Sequence, residues 1–205
     1  ESLVGQAAAE QRRMLIDPVQ AGYLKVNSRL GVMAPKAGLL LPRGAGGVAT
    51  MAGQLARLRG AHVIGTASRE NHDYLRALGA EPVLYGPGLA ERVRAIAPHG
   101  VHAALDGSGR GALDASIELG IDPARIATLV DLDDVQRLGV HAIRSQRSRE
   151  RLQSLVDLHD AGLLRVHVRD IYPLAYAAVA HRDVENGHGR GKVVLMVYEE
   201  RGFAL

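Results

Sequence analysis

The segment Gly38-Leu-Leu-Leu-Pro-Arg-Gly-Ala-Gly-Gly-Val-Ala49, which continues as Thr50-Met-Ala-Gly-Gln-Leu-Ala-Arg-Leu-Arg59, decides the fold of this chain of 205 residues. A short apolar run ends at Pro42, a glycine cluster follows, and apolar residues then recur at helical spacing. The recurring residues are Val48, Met51, Ala52, Leu55 and Leu58. The pattern predicts a strand, a tight turn and a helix.

The glycine turn matches the dinucleotide fingerprint G-x-G-x-x-A at Gly44, Gly46 and Ala49. The first glycine permits the turn. The second lets the backbone approach a pyrophosphate closely, because it has no side chain, and the small third residue lets the helix pack on the strand. Amide groups at the start of the helix would then face phosphates. The predicted phosphate-binding residues are Gly44, Ala45, Gly46, Gly47 and Val48. A plain glycine turn remains the alternative, because chains rich in alanine and glycine produce this pattern by chance.

Strands and helices alternate after this turn. Strands are predicted at 62–67, 82–85, 101–106, 125–130 and 139–143, and helices at 68–78, 89–97 and 110–119. Over residues 38–144 this alternation predicts an α/β fold with a doubly wound parallel six-stranded sheet of the Rossmann type. Ligands of such sheets bind at the carboxyl ends of the strands, where the glycine turn, Ser68, Asp106, Gly107 and Val130 would lie.

The two ends of the chain fit this sheet less well. Residues 1–37 are interpreted as a packing segment, residues 38–162 as the Rossmann dinucleotide-binding domain, and residues 163–205 as a C-terminal segment from another layer. After a helix at 148–161, that segment is predicted to hold a short apolar piece, Val166-His-Val168, then a helix at 174–185 and a last strand at 192–197.

Composition excludes several classes of site. The chain has no cysteine, which excludes disulfides, thiolate zinc sites and a cysteine nucleophile. The net charge is only +3 and the arginines are scattered, so neither nucleic acid nor membrane is an expected partner. No apolar run reaches the roughly 20 residues of a membrane span, and no basic segment followed by an apolar one opens the chain, which favours a cytoplasmic location.

Four stretches, in order, resemble the medium-chain dehydrogenase/reductases, and specifically their zinc-independent, quinone-oxidoreductase-like branch. They are Gly44-Ala-Gly-Gly-Val48, Gly65-Thr-Ala-Ser-Arg-Glu-Asn-His-Asp-Tyr-Leu75, Leu105-Asp-Gly-Ser-Gly109 and Gly189-Arg-Gly-Lys-Val-Val-Leu195. The resemblance covers residues 38–197 and implies that the C-terminal segment belongs to a GroES-like substrate domain. It also implies a homodimer paired through the edge strand near Val140–Ile143.

The chain departs from the family pattern in three places. Family members carry an N-terminal substrate barrel before the glycine turn, and we expect this chain to lack most of it. The usual last glycine of the turn is Ala49, which the fingerprint tolerates. Pro42 and Arg43 replace a small residue or histidine, which places a bulky cation beside the phosphate path.

The end of the second strand indicates the cofactor. A carboxylate about 20 residues after the glycine turn would favour NAD, whereas this strand ends in Ser68 and Arg69. A hydroxyl beside a guanidinium suits a 2′-phosphate, so we expect NADPH. In the alternative, Ser68 caps the next helix and Arg69 lies in solvent; Glu70 could pair with Arg69 or accept the ribose hydroxyl. The resemblance adds Asn71 as a contact at this end of the cofactor.

Other candidates each have a structural alternative. Asp106 and Gly107 could shape the nicotinamide end, or form an ordinary strand-end turn. Tyr85 is one position from a family tyrosine that covers the cofactor, and Lys192 could reach its phosphates or lie in a solvated turn. The histidines show no metal-ligand spacing, and those at 62, 102 and 141 are interpreted as packed strand residues.

The resemblance implies an NADPH-dependent oxidoreductase that transfers hydride to an activated double bond or a quinone. In such enzymes the cofactor carries out the hard chemical step and often no side chain is indispensable, so no catalytic residue is assigned. The alternative is an NADPH-binding domain without catalysis, which serves as a scaffold, a sensor or one module of a larger synthase.

Overall fold

The computed structural model describes residues 37–109, 111–143, 148–186 and 189–197. The chain divides into two compact units between Arg165 and Val166. The predicted packing segment lies outside the described residues except for Ala37, which is buried.

The first unit is built on one parallel sheet of six strands. They are β1 (Gly38–Leu41), β2 (His62–Thr66), β3 (Glu81–Val83), β4 (Val101–Asp106), β5 (Ile126–Thr128) and β6 (His141–Ala142). Their order is β3-β2-β1-β4-β5-β6 and every neighbouring pair is parallel. This confirms the doubly wound sheet, and the strand order reverses between β1 and β4, where such sheets bind ligands.

Helices connect these strands. They are α1 (Ala49–Leu58), α2 (His72–Ala77), α3 (Leu89–Ile96), α4 (Ala112–Glu118) and α5 (Asp134–Leu138), and a further helix, α6 (Arg149–Asp160), follows β6. Short 3₁₀ turns at Arg69–Asn71 and Pro123–Arg125 precede α2 and β5. Across the described ranges, no helix is both long enough and apolar enough to cross a membrane.

Both faces of the sheet are buried, as a parallel sheet requires. Along β1, Leu39 and Leu41 join Val63 and Leu75 in one apolar cluster. Leu40 points the other way and packs in a second cluster with residues that include Ile64, Val93, Leu113 and Ile126. The alternation of side chains along a strand therefore divides three consecutive leucines between two cores.

The second unit is a small βαβ arrangement. Strands β7 (Val168–Pro173) and β8 (Lys192–Met196) pair in parallel and are connected by a 3₁₀ turn at Leu174–Tyr176 and helix α7 (Ala177–Glu185). The guanidinium of Arg169 on β7 forms an ion pair with Asp183 on α7. These elements form a sheet of their own and add no seventh strand to the larger one.

Two predicted elements need correction. The short apolar piece at 166–168 is not an element of its own, because only its last residue, Val168, belongs to a strand, β7, which pairs with β8 as far as Pro173. The strand predicted at 125–130 is shortened to β5, because the side-chain oxygen of Thr128 accepts hydrogen bonds from the amides of Val130 (3.2 Å) and Asp131 (3.0 Å). These bonds turn the chain away from the sheet.

Candidate functional site

The glycine turn after β1 is anchored to the end of β2. The backbone amide of Arg43 donates to the hydroxyl oxygen of Thr66 (3.0 Å), and that of Gly44 donates to the Thr66 carbonyl (2.8 Å). The amide of Gly46 then donates to the Arg43 carbonyl (2.8 Å) and closes the turn. Arg43 adopts a left-handed conformation with φ of 55°, which is uncommon outside glycine and asparagine.

Gly44 is required for close approach of two strand ends. A β-carbon at this position would stand 2.8 Å from the α-carbon of Gly65 at the end of β2, which is closer than real contacts allow. Two glycines therefore face each other where β1 and β2 leave the sheet. Gly44 permits the turn because no larger residue fits against the backbone of β2.

The start of α1 offers hydrogen-bond donors. Among the described residues, none accepts a hydrogen bond from the backbone amides of Ala45, Gly47 or Val48. Val48 is the N-cap of α1, and its side chain caps nothing. These open amides lie at the positive end of a helix of ten residues, at the carboxyl end of β1. The arrangement is suited to a phosphate group.

Ser68 does not act as a helix cap. No side-chain capping bond is formed at Ser68, whereas the side-chain amide of Asn71 donates to its hydroxyl oxygen (3.0 Å). Because the oxygen accepts from Asn71, the Ser68 hydroxyl retains its own hydrogen to donate to a ligand. Arg69 and Glu70 are exposed, and within the described ranges no ion pair joins them.

Asp106 is fully buried at the carboxyl end of β4. One carboxylate oxygen accepts from the amide (2.7 Å) and hydroxyl (2.9 Å) of Ser108 and from the amide of Gly109 (3.0 Å). The other accepts from the hydroxyl of Thr128 on β5 (2.9 Å). The carboxylate thus joins the loops that follow β4 and β5, so it can influence a ligand through those loops.

Apolar side chains are exposed along the same edge. Val48, Tyr85 and Val130 have exposed fractions of 53%, 63% and 53%. A β-carbon on Gly107 would meet open space, so the loop after β4 leaves room beside it. Exposed apolar residues at the carboxyl edge of a parallel sheet are typical of a ligand-binding crevice.

Two of the strand histidines make hydrogen bonds to neighbouring strands. The Nδ1 atom of His102 accepts from the backbone amide of Gly38 (3.0 Å), and the Nε2 atom of His62 lies 2.9 Å from a carboxylate oxygen of Glu81. Where the structure describes the chain, no group of three or more metal-ligand side chains is gathered for a metal ion.

Lys192 belongs to the second unit, where it begins β8 and is exposed. Its backbone amide donates to the carbonyl of His167 (2.8 Å). Its contact with a cofactor stays a prediction, as do the ligand contacts of the other predicted site residues.

Sequence reasoning missed Thr66 and Thr128. Both are buried and both are the last residue of a strand that ends at the ligand edge of the sheet. Their hydroxyl groups hold the loops that follow β1, β4 and β5. The sequence feature that could have revealed them is a threonine that ends an apolar strand just before a polar turn. Because threonine is common in strands, this feature does not stand out from ordinary strand sequence.

The acidic segment after β5 gives a prediction on stability. Burial, and then the negative charges of Asp134, Asp106 and Asp133, raise the pKa of Asp131 above its usual range, although Arg137 opposes them. The ionised form of Asp131 is therefore disfavoured in the folded protein. Ionisation of this carboxyl lowers the free energy of unfolding at pH values above the folded pKa. Asp131→Asn should raise the Tm at pH 7, and the gain should decline as the pH falls below about 3.9, the usual pKa of aspartate, because the carboxyl is then increasingly protonated in both states. Thermal melts from pH 3 to pH 8 test this, and an equal gain at every pH would contradict it.

Comparison with known proteins identifies the family. Residues 78–195, more than half of the chain, match the family model described as zinc-binding dehydrogenase. The chain belongs to the zinc-binding dehydrogenase family. A relative from Danio rerio, the mitochondrial NAD(P)H oxidoreductase RTN4IP1, is 27% identical over 195 residues, which cover 80% of this chain and 50% of the relative. This member of the family thus spans about half the length of the curated relative it matches.

Solved structures support the same family. The quinone oxidoreductase from Coxiella burnetii superposes with a TM-score of 0.73 at 28% identity, over 89% of this chain and 58% of that chain. The mycobacterial protein Rv1454c, complexed with NADPH, superposes with a TM-score of 0.67 at 29% identity, over 88% and 63% of the two chains. These matches confirm the predicted resemblance of this chain to medium-chain dehydrogenase/reductases of the quinone-oxidoreductase type.

Proposed function

We propose that this chain binds NADPH along the carboxyl edge of its six-stranded sheet. In the whole protein it would serve as the dinucleotide-binding part of an oxidoreductase that reduces a quinone or an activated double bond. The observation that carries the proposal is the set of open amides at Ala45, Gly47 and Val48, located where the strand order reverses. Backbone donors at a helix N-terminus suit a diphosphate, which is the group that dinucleotides share.

The end of β2 supports the choice of NADPH over NADH. The Ser68 hydroxyl is held by Asn71 with its hydrogen left to donate, and the exposed guanidinium of Arg69 follows it. A 2′-phosphate accepts hydrogen bonds from both groups, whereas a ribose hydroxyl gains little from a guanidinium. The solved mycobacterial relative contains NADPH, which is consistent with this choice.

The chain supplies binding and orientation. Amides of the glycine turn hold the diphosphate, Ser68 and Arg69 hold the 2′-phosphate, and Val130 and Gly107 border the nicotinamide end. Asp106 acts as a positioning residue, because its carboxylate fixes the loops that carry Gly107 and Val130. NADPH, when bound, supplies the hydride, so the protein needs no strong acid or nucleophile of its own.

Replacing Arg69 tests the cofactor assignment. Arg69→Ala should weaken NADPH binding by about tenfold to a hundredfold, because a charge-assisted hydrogen bond contributes roughly 1.5–3 kcal/mol. Binding of NADH should change little. Isothermal titration and thermal shift with both cofactors measure this. Arg76→Ala is the matched control, because Arg76 is an exposed arginine on α2 that pairs with Asp73. Equal losses for NADPH and NADH would contradict the assignment.

Turnover separates an enzyme from a binding domain. NADPH oxidation by the full-length protein, measured by absorbance with panels of quinones and enones, should reveal at least one acceptor. Tight NADPH binding without turnover on any acceptor would favour the alternative, an NADPH-binding domain without catalysis. Failure to bind either cofactor would contradict the dinucleotide site itself.

We also propose that the protein forms the predicted homodimer through the edge strand β6. In the sheet formed by the described residues, β6 is the last strand, so its outer side lies at an edge. An edge strand presents unpaired amides and carbonyls that a second copy can extend.

A further inference from the structure

The loop between β3 and α3 is wrapped around a single side chain, that of Arg92. Its Nη1 atom donates to the carbonyl of Pro87 (2.7 Å), and its Nη2 atom donates to those of Leu84 (2.9 Å), Gly86 (3.1 Å) and Tyr85 (3.3 Å). The Nε atom also donates to the Leu84 carbonyl (3.2 Å). Four consecutive carbonyl groups therefore converge on one cation that extends from α3.

This arrangement requires a guanidinium. Gly86 and Gly88 have φ of 94° and 71°, and these left-handed conformations turn the backbone round the side chain. A β-carbon on Gly88 would stand 3.2 Å from the Nη1 atom of Arg92, so the loop also lies close to the guanidinium there. A guanidinium has five N–H donors in a rigid plane, whereas the ammonium of lysine donates from one atom. The shape of the loop thus depends on Arg92.

The loop holds Tyr85 at the ligand edge of the sheet. Its side chain is 63% exposed, although a tyrosine ring has a large apolar surface. The amide of Ala67 donates to the carbonyl of Val83 (2.9 Å), so the chain leaving β3 runs beside the chain leaving β2. Tyr85 therefore follows a strand end adjacent to the one that leads to Ser68.

We infer that Arg92 is a positioning residue that fixes this loop so that Tyr85 presents an aromatic face to the adenine ring of the dinucleotide. The inference rests on the proposed NADPH site, which places the 2′-phosphate at Ser68 and Arg69 and therefore the adenine at the neighbouring strand end. An aromatic ring already held in place stacks on a base without first being ordered. Arg92 acts through the loop, and its bonds described above are all to backbone carbonyls.

Ligand fragments test this in the full-length protein. Arg92→Ala should lower the affinity for both NADPH and 2′,5′-ADP by about tenfold. A loss of this size is typical when a base no longer stacks on an aromatic residue. Binding of reduced nicotinamide mononucleotide, which lacks adenine, should not change. Tyr85→Ala should show the same pattern, and the double variant should bind no more weakly than either single variant. Arg92→Lys should resemble Arg92→Ala.

A control on the same helix separates positioning from general loosening. Arg94→Ala removes an arginine that donates one bond to the carbonyl of Glu118 (2.6 Å) and should leave all three affinities unchanged. Three results would each overturn the inference but not the proposed function. The first is an equal loss of affinity for reduced nicotinamide mononucleotide, the second is additive effects of the Arg92 and Tyr85 variants, and the third is unchanged NADPH affinity in Arg92→Ala. No binding of any of these ligands to the wild-type protein would overturn the proposed function together with it.

A measurement on the wild-type protein covers the case in which Arg92→Ala does not fold. Amide hydrogen exchange over residues 84–88 should slow when 2′,5′-ADP is added, because the ligand would cover a loop that is already ordered. Unchanged exchange on saturation with 2′,5′-ADP would overturn the inference.

Discussion

Gly46→Val is expected to weaken NADPH binding by at least about a hundredfold while the protein remains folded. A β-carbon at this position would lie 3.1 Å from the carbonyl oxygen of Arg43, a tight contact, and the two further methyl groups would extend into the turn. The bulk would stand among the open amides of Ala45, Gly47 and Val48. If two amide bonds to phosphate are lost at roughly 1.5–3 kcal/mol each, the affinity falls by a hundredfold or more.

A smaller substitution at Gly46 and a substitution at Gly44 provide controls for Gly46→Val. Gly46→Ala adds a single carbon and should give a smaller loss of affinity than Gly46→Val. Gly44→Ala should instead lower the Tm, because its β-carbon would meet the backbone of Gly65 at 2.8 Å. Isothermal titration and thermal melts without cofactor separate the two effects. NADPH affinity in Gly46→Val equal to that of the wild-type protein would show that the glycine turn does not hold the diphosphate.

The fold could be predicted from the sequence because its signals are local. The apolar run of β1, the glycine cluster and the helical spacing of α1 fall within 22 consecutive residues, Gly38 to Arg59. The alternation of strands and helices then fixed a parallel sheet, and short right-handed connections restrict its strand order. Each step used neighbours along the chain, which a single sequence records directly.

The candidate site was predicted less completely because its contacts join distant residues. The Asp106 carboxylate meets Thr128, 22 positions away, and no local pattern connects the two. Arg92 is close in sequence to the loop it holds, but an arginine on a surface helix is most often solvated, so it carried no signal. Strand β7 was missed because Arg169, Asp170 and Pro173 interrupt its apolar pattern, and its register is set by pairing with the distant strand β8.

Asp106→Ala is expected to lower the free energy of unfolding by about 3–5 kcal/mol, since each buried donor left without an acceptor costs roughly 1–3 kcal/mol. The hydroxyl of the fully buried Thr128 and the half-buried amides of Ser108 and Gly109 would lose the Asp106 carboxylate as their acceptor. For a chain of this length the loss corresponds to a fall in Tm of roughly 6–20 °C. Thermal and denaturant unfolding without cofactor measure it.

Variants at Thr128 test whether the carboxylate and the hydroxyl act as one unit. Thr128→Ser keeps the hydroxyl and removes one methyl group, so it should cost only about 1 kcal/mol. Thr128→Val removes the donor to Asp106 and the acceptor for the amides of Val130 and Asp131, so it should be clearly more destabilising. The double variant Thr128→Val with Asp106→Ala should lose less free energy of unfolding than the sum of the two single variants, because both changes remove the same hydrogen bond. Strictly additive losses would show that the loops after β4 and β5 are held independently, and Asp106 could then not position Val130.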